Sequence, residues 1–409
     1  MTERHLPFLP SREGRGRRRA TLAAFAFLLL AGCGTGADRP GEGAAAGAVA
    51  GPASIQDLTP IPRDEWASLV TGLSEAGGFF DTDNLISNEN SYLHVLGPMR
   101  RMGVEGGAYI GVGPDQNFAY IAQQRPMLAF IVDLRRDNLV HHLLLKALFH
   151  ESASRGEYLA LLFGKEPPAD TAGYQAPVET LLQDVREAPG GAGTPQGTEA
   201  LDRVRVAVER FGLALSAADW ETLHRFHETF IVEGPELRFT SFGRPARSFY
   251  PTFAELLLER DLEGREGSYL ARREDFLFLK AMQEANRIIP VVGDLAGPSA
   301  LRDVGDEVRR RGLVVRAFYT SNVEYYLWGS GTFDTFAATV ANLPMDDRSV
   351  LIRSVFPNAA VHPHAVAGYY STQSIVPLEA LRRVVRGSGY RGYQDLVARD
   401  AVDPRPPGS

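Results

Sequence analysis

Cysteine is all but absent from this sequence, with Cys33 alone among 409 residues. One thiol excludes an intrachain disulfide and any metal site built from several cysteines. Positive charge is also short, at 43 basic against 50 acidic residues and a net charge of −7. No nucleic-acid partner is therefore expected, because phosphates demand clustered cations. Lysine supplies only three of the basic residues, Lys146, Lys165 and Lys280, and the arginine excess reads as genome composition rather than as a special site. The N-terminal apolar stretch, Ala20 to Leu30, is 11 residues long, well short of the ~20 a membrane-spanning helix needs. A Walker loop, a Gly-x-Ser-x-Gly elbow and a zinc–cysteine pattern are missing too.

What is present starts with the position of that cysteine. Arg12, Arg15 and Arg17-Arg18-Arg19 precede the apolar stretch, and Ala31-Gly32 precede Cys33. A positive start, a short apolar core and a small-residue cleavage site are the parts of an export signal. With cysteine at the junction, residues 1–32 resemble a bacterial lipoprotein signal peptide, which implies a lipid on Cys33. Arg18 to Leu22 also resembles a twin-arginine signal loosely, with Thr21 where an apolar residue is preferred. The expected location is the cell envelope, lipid-anchored on the periplasmic side. Gly34 lacks the acidic residue that retains some lipoproteins in the inner membrane, which points to the outer one. Removing residues 1–32 leaves 37 basic and 48 acidic residues, a charge of −11, so membrane contact is expected from the anchor and not from a basic face.

Residues 33–54 are rich in Gly, Ala and Pro without a hydrophobic period, as in a flexible tether. A first αβ half is expected over 55–186, a linker and helical insertion over 187–287, a second αβ half over 288–402, and a disordered tail over 403–409. Tyr109–Gly113 and Met127–Leu134 read as buried strands around a helix at Asp115–Gln124, a βαβ unit. Strand-like runs recur at Ile288–Gly293, Leu313–Tyr319 and Val350–Val355, with a further one at Ala367–Gln373. The simplest architecture is α/β: a doubly wound, mostly parallel Rossmann-like sheet with a large helical insertion.

Ligands of such sheets bind beyond the carboxyl ends of the strands. Those ends offer Gly111, Gly113 and Asp115, then Asp133, Asp294 and Asn322, with Ser321 and Arg353 alongside. Glycines let the backbone approach a ligand, and an acid about 20 residues on suits ribose hydroxyls. The segment Asp81–Tyr92 is dense in hydrogen-bonding groups, of which Asp83, Asn84, Glu89 and Tyr92 are candidates to line a pocket. The same residue types also make local turns and caps. Tyr325, Tyr326 and Tyr370 are candidates for an aromatic pocket or for core packing. His224 and His227 fall on one helix face, but without a third ligand a solvated face is the simpler reading.

Gly-x-Gly after the first strand, with an acid closing the next, resembles the cofactor-binding half of class I S-adenosylmethionine-dependent methyltransferases. FDTDNLISNENSY, YIGVGPDQNFAYIAQQRP, FIVDLRRDN, VVGDLAGP and AFYTSNVEYYL are similar to stretches of an uncharacterised family of conserved bacterial proteins, some of them exported. The methyltransferase resemblance implies S-adenosylmethionine beside Gly111 and Gly113, with its ribose on Asp133 and Asp294 or Asn322 near the reacting group. The pattern departs where that family has an acid and a third glycine, since this chain has Tyr109 and Asp115. A nucleoside cofactor is also scarce outside the cytoplasm. The resulting expectation is an exported protein that binds a small molecule or a protein partner, with an active methyltransferase as the alternative.

Overall fold

Strands with no face left to water read as uninterrupted apolar runs, because no polar alternation is needed. In the computed structural model, which describes residues 51–168, 176–244 and 247–408, five runs of this kind form parallel strands. They are β1 (Ala108–Gly111), β2 (Leu128–Asp133), β3 (Ile288–Val292), β4 (Val315–Tyr319) and β5 (Val350–Val355). A sixth strand, β6 (Thr372–Pro377), runs antiparallel to β5. The sheet is therefore mixed but mostly parallel, in the order β3-β2-β1-β4-β5-β6. Pro290 lies in β3, an edge position where a missing N–H is tolerated. The extended segment expected at Ala367–Gln373 begins only at Thr372, because Gly368 (φ 89°) turns the chain first. Cys33, the signal segment and residues 34–50 of the tether lie outside the described residues.

Strands from both halves of the sequence share this one sheet. Between β2 and β3 the chain is helical over Arg136–Glu151, Arg155–Leu162, Val178–Glu187, Pro195–Glu209, Ala217–Glu233, Phe253–Leu258 and Arg273–Glu284. The Arg136–Glu151 helix is buried on nearly every side, with Val140, Leu144 and Phe149 in the core. The glycine-rich stretch expected as a linker at 187–197 is folded. Gly190 (φ 117°) and Gly191 (φ 106°) turn it back, Gly190 bridges Lys165, and Thr194 caps the Pro195–Glu209 helix. The expected disordered tail is tied down as well: Arg101 donates to the carbonyls of Asp403, Pro404 and Arg405. No described helix is long and apolar enough to cross a membrane.

Candidate functional site

β1 and β4 lie side by side and parallel, yet β1 is followed by its neighbour on one side, β2, and β4 by its neighbour on the other, β5. This reversal opens a crevice at the carboxyl edge of the sheet, where ligands of open α/β sheets bind. A cavity of about 190 Å³ lies along this edge beyond β4 and β5, bordered by Ser321 and Asn322 after β4 and by Phe356 and Asn358 after β5. Asn84 and Asn88 enter from the loop before β1, and Tyr325 and Tyr326 from the helix Val323–Ser330. The remaining wall comes from Arg244, Arg247 and Tyr250 of the helical insertion, with Tyr370 and Tyr393 from the chain's end. Asp81 holds that insertion over the sheet edge, since its carbonyl accepts from the Phe242 N–H at 2.8 Å and its carboxylate pairs with Arg244.

Below the cavity lies a buried polar network around Glu89. Its Oε2 accepts from the Tyr319 hydroxyl at 2.5 Å, and that hydroxyl accepts from Gln116 Nε2 at 2.8 Å. Its Oε1 accepts from the Ser321 hydroxyl. Burial pushes the Glu89 carboxyl above its ordinary range, against the pull of hydrogen bonds from Ser321, Ser354, Tyr319 and Gln373. Ser321 has φ 51°, a left-handed conformation that costs a non-glycine residue about 1 kcal/mol or more. Its carbonyl accepts from Ser354 N–H at 2.8 Å, and the next helix is anchored by Glu324, whose carboxylate meets Arg353 at 2.7 Å in a fully buried pair. Arg353 is thus a fastening of the turn rather than a cavity group.

Of the polar candidates from the sequence, Asn84, Ser321 and Asn322 line this cavity, and Glu89 lies behind Ser321. Asp83 instead pairs with Arg225 at 2.6 Å, and the buried Tyr92 donates its hydroxyl to Leu256 O at 2.8 Å. Asp294 makes a local turn, accepting from Ala296 N–H at 2.9 Å. The polar segment 81–92 therefore serves both purposes: Thr82 and Ser87 bond neighbouring backbone, while Asn84 and Asn88 face the cavity. Tyr325, Tyr326 and Tyr370 do form an aromatic wall, whereas Phe318 and Tyr319 are core. Phe80, Arg247, Tyr250, Asn358 and Tyr393 had no signal of their own. They come from segments far apart in the chain, which leaves no local signature.

The β1 turn is filled by the protein's own side chains. Asn117 Nδ2 donates to Val112 O at 2.8 Å and Pro114 O at 2.7 Å, and its Oδ1 accepts from the Tyr109 hydroxyl at 2.7 Å. A Cβ on Gly111 would collide with Asn117, so this glycine makes room for a side chain and not for a ligand. Gly113 takes φ 79°, and its carbonyl accepts from His142 Nε2 at 2.9 Å, given that tautomer. Asp115 is buried under Tyr269, whose hydroxyl donates to it at 2.9 Å. Burial pushes this carboxyl up to about 7, against that bond. The Asp133 carboxylate accepts from the Arg135 N–H at 2.9 Å and from its Nε at 3.1 Å, and Arg135 spans on to the carbonyls of Thr82 and Asp83. These residues do not fit an adenosyl cofactor held on Gly111, Gly113 and Asp133.

His224 and His227 do not form a pair, since His224 is exposed while His227 is buried against Leu161 O. Among the described residues no group of histidines, cysteines and carboxylates could hold a metal. Against known families, the model described as "Domain of unknown function (DUF7790)" matches residues 85–175 and 228–400, more than half of the chain. The match takes in Glu89, Ser321 and Asn322 and leaves out Asn84 and residues 176–227. No curated protein matches the sequence.

Proposed function

We propose that this chain, which belongs to the DUF7790 family, is a lipid-anchored exported protein that binds a small polar, ring-containing ligand in the cleft beyond β4 and β5. The observation that carries the reading is the lining of that cleft. Four side-chain amides (Asn84, Asn88, Asn322 and Asn358) and several tyrosines surround one cavity at the carboxyl edge of the sheet. Amides read hydroxyl and amide patterns of a ligand, and aromatic faces take its ring. Arg247 adds a cation stacked on Phe249, 5.7 Å from the ring centre, which favours a ligand with an acidic group. The strand order is that of Rossmann-like sheets, and we read the fold as doubly wound on that basis. The alternative, a methyltransferase, is disfavoured because Asp133 is spent on Arg135 and the β1 turn on Asn117.

A thermal-shift screen of nucleosides, aromatic amino acids and aryl glycosides, followed by titration calorimetry, tests the reading. Saturable binding that weakens at least tenfold in Asn322→Ala and Asn84→Ala, but not in Asp133→Ala, is the expected result. Failure of every compound to bind, or binding that ignores both asparagines, would sink it. S-adenosylmethionine belongs in the screen, because binding abolished by Asp133→Ala would restore the methyltransferase alternative.

A further inference from the structure

If the cleft is the ligand site, one of its walls carries more than recognition. Ser321 is the cavity residue whose hydroxyl is bonded to a fully buried carboxylate, Glu89. Among the described residues no cation forms an ion pair with Glu89, which is held by hydroxyl donors instead. Its second oxygen is fixed by Tyr319, which Gln116 orients in turn. A nucleophile bonded to a base that a third group orients is the arrangement of covalent hydrolases. Ser321 also occupies a left-handed turn between β4 and the helix Val323–Ser330. A strained strand-to-helix turn is how a serine is presented at the top of an α/β sheet. The Gly-x-Ser-x-Gly signature is absent, with Tyr319 and Val323 two residues to either side of Ser321.

We propose that Ser321 is a nucleophile and Glu89 its general base, and that together they cleave an ester-type acyl group of a ligand held in the cleft. The Ser321 oxygen forms a bond to the carbonyl carbon while its proton passes to Glu89. Collapse of the tetrahedral adduct breaks the bond to the leaving alcohol, which takes the proton from Glu89. Water then adds to the acyl-serine with Glu89 accepting its proton, the carboxylic acid departs, and that proton returns to Ser321. Asn322 and Tyr326 line the same cavity and supply N–H and O–H donors for the developing oxyanion.

The test uses the full chain in detergent with a fluorophosphonate probe, whose phosphorus forms a bond to a reactive serine oxygen as fluoride leaves. The expected outcome is a single label on the peptide carrying Ser321, absent in Ser321→Ala. Glu89→Gln, which keeps the shape and a hydrogen bond, should label at least a hundredfold more slowly. Ser321→Gly relieves the left-handed backbone, so it should melt no lower than the wild type and yet take no label. A purely structural serine predicts no labelling of the folded wild type, or labelling at the wild-type rate in Glu89→Gln, and either result overturns the proposal. Ligand binding that survives such a failure leaves the recognition reading intact. Loss of both removes both.

Discussion

Asp115 illustrates how residue type and environment part company. The sequence places an acid at a tight turn, where it could have met a ligand, but folding covers it with Tyr269 and removes it from water. Its folded pKa, about 7, stands above the ordinary aspartate value. A raised carboxyl favours the folded state fully only below its unfolded pKa, and the contribution is lost as pH rises through about 7. Asp115→Asn keeps an acceptor for Tyr269 and removes the charge. Its melting temperature should match the wild type near pH 4 and exceed it at pH 8, by the equivalent of roughly 4 kcal/mol. Comparing the two proteins at each pH cancels other titrating groups such as Lys146, which is buried against Trp66. Melts that differ equally at both pH values would show that folding leaves the Asp115 carboxyl unshifted. Residue identity was legible here and its role was not, because desolvation depends on Tyr269, which is remote in sequence.

At the scale of elements, periodicity carried most of the information. The βαβ unit around the Asn117–Gln124 helix and the later strands appear near where their apolar runs predict them. What periodicity omits is how elements are fastened. Glu75, in the segment after the Arg63–Gly72 helix, accepts from the N–H groups of Ser299 at 2.6 Å and Ala300 at 2.7 Å, capping the Ala300–Arg310 helix. Burial raises its pKa, but these bonds outweigh it and hold the carboxyl below its usual range. Stability from a depressed carboxyl is present above its unfolded pKa and is lost as pH falls through the folded value. Glu75→Gln should therefore cost about 1–2 kcal/mol in chemical denaturation at pH 7. The cost should shrink at acid pH, and a variant as stable as the wild type at pH 7 would contradict the capping role. Separations of more than 200 residues give such contacts no local signature.

For the whole molecule, the sequence speaks most plainly about address. Wild type should partition into the detergent phase of Triton X-114 and shift to the aqueous phase in Cys33→Ser, since one lipid-modified cysteine is the expected membrane hold. Equal partition of both proteins would exclude the anchor. Composition carries the expectation of no nucleic-acid partner, as net negative charge leaves little to attract phosphate backbones. Apolar runs determined the strands, because burial selects residue type locally and leaves a record in order along the chain. The strand order, the antiparallel β6 and the cleft itself were decided only by tertiary structure. Cys33 is readable from its neighbours in the chain. The Ser321–Glu89 bond joins residues 232 positions apart, and only the packing of the 81–92 segment over the carboxyl edge of the sheet brings them together.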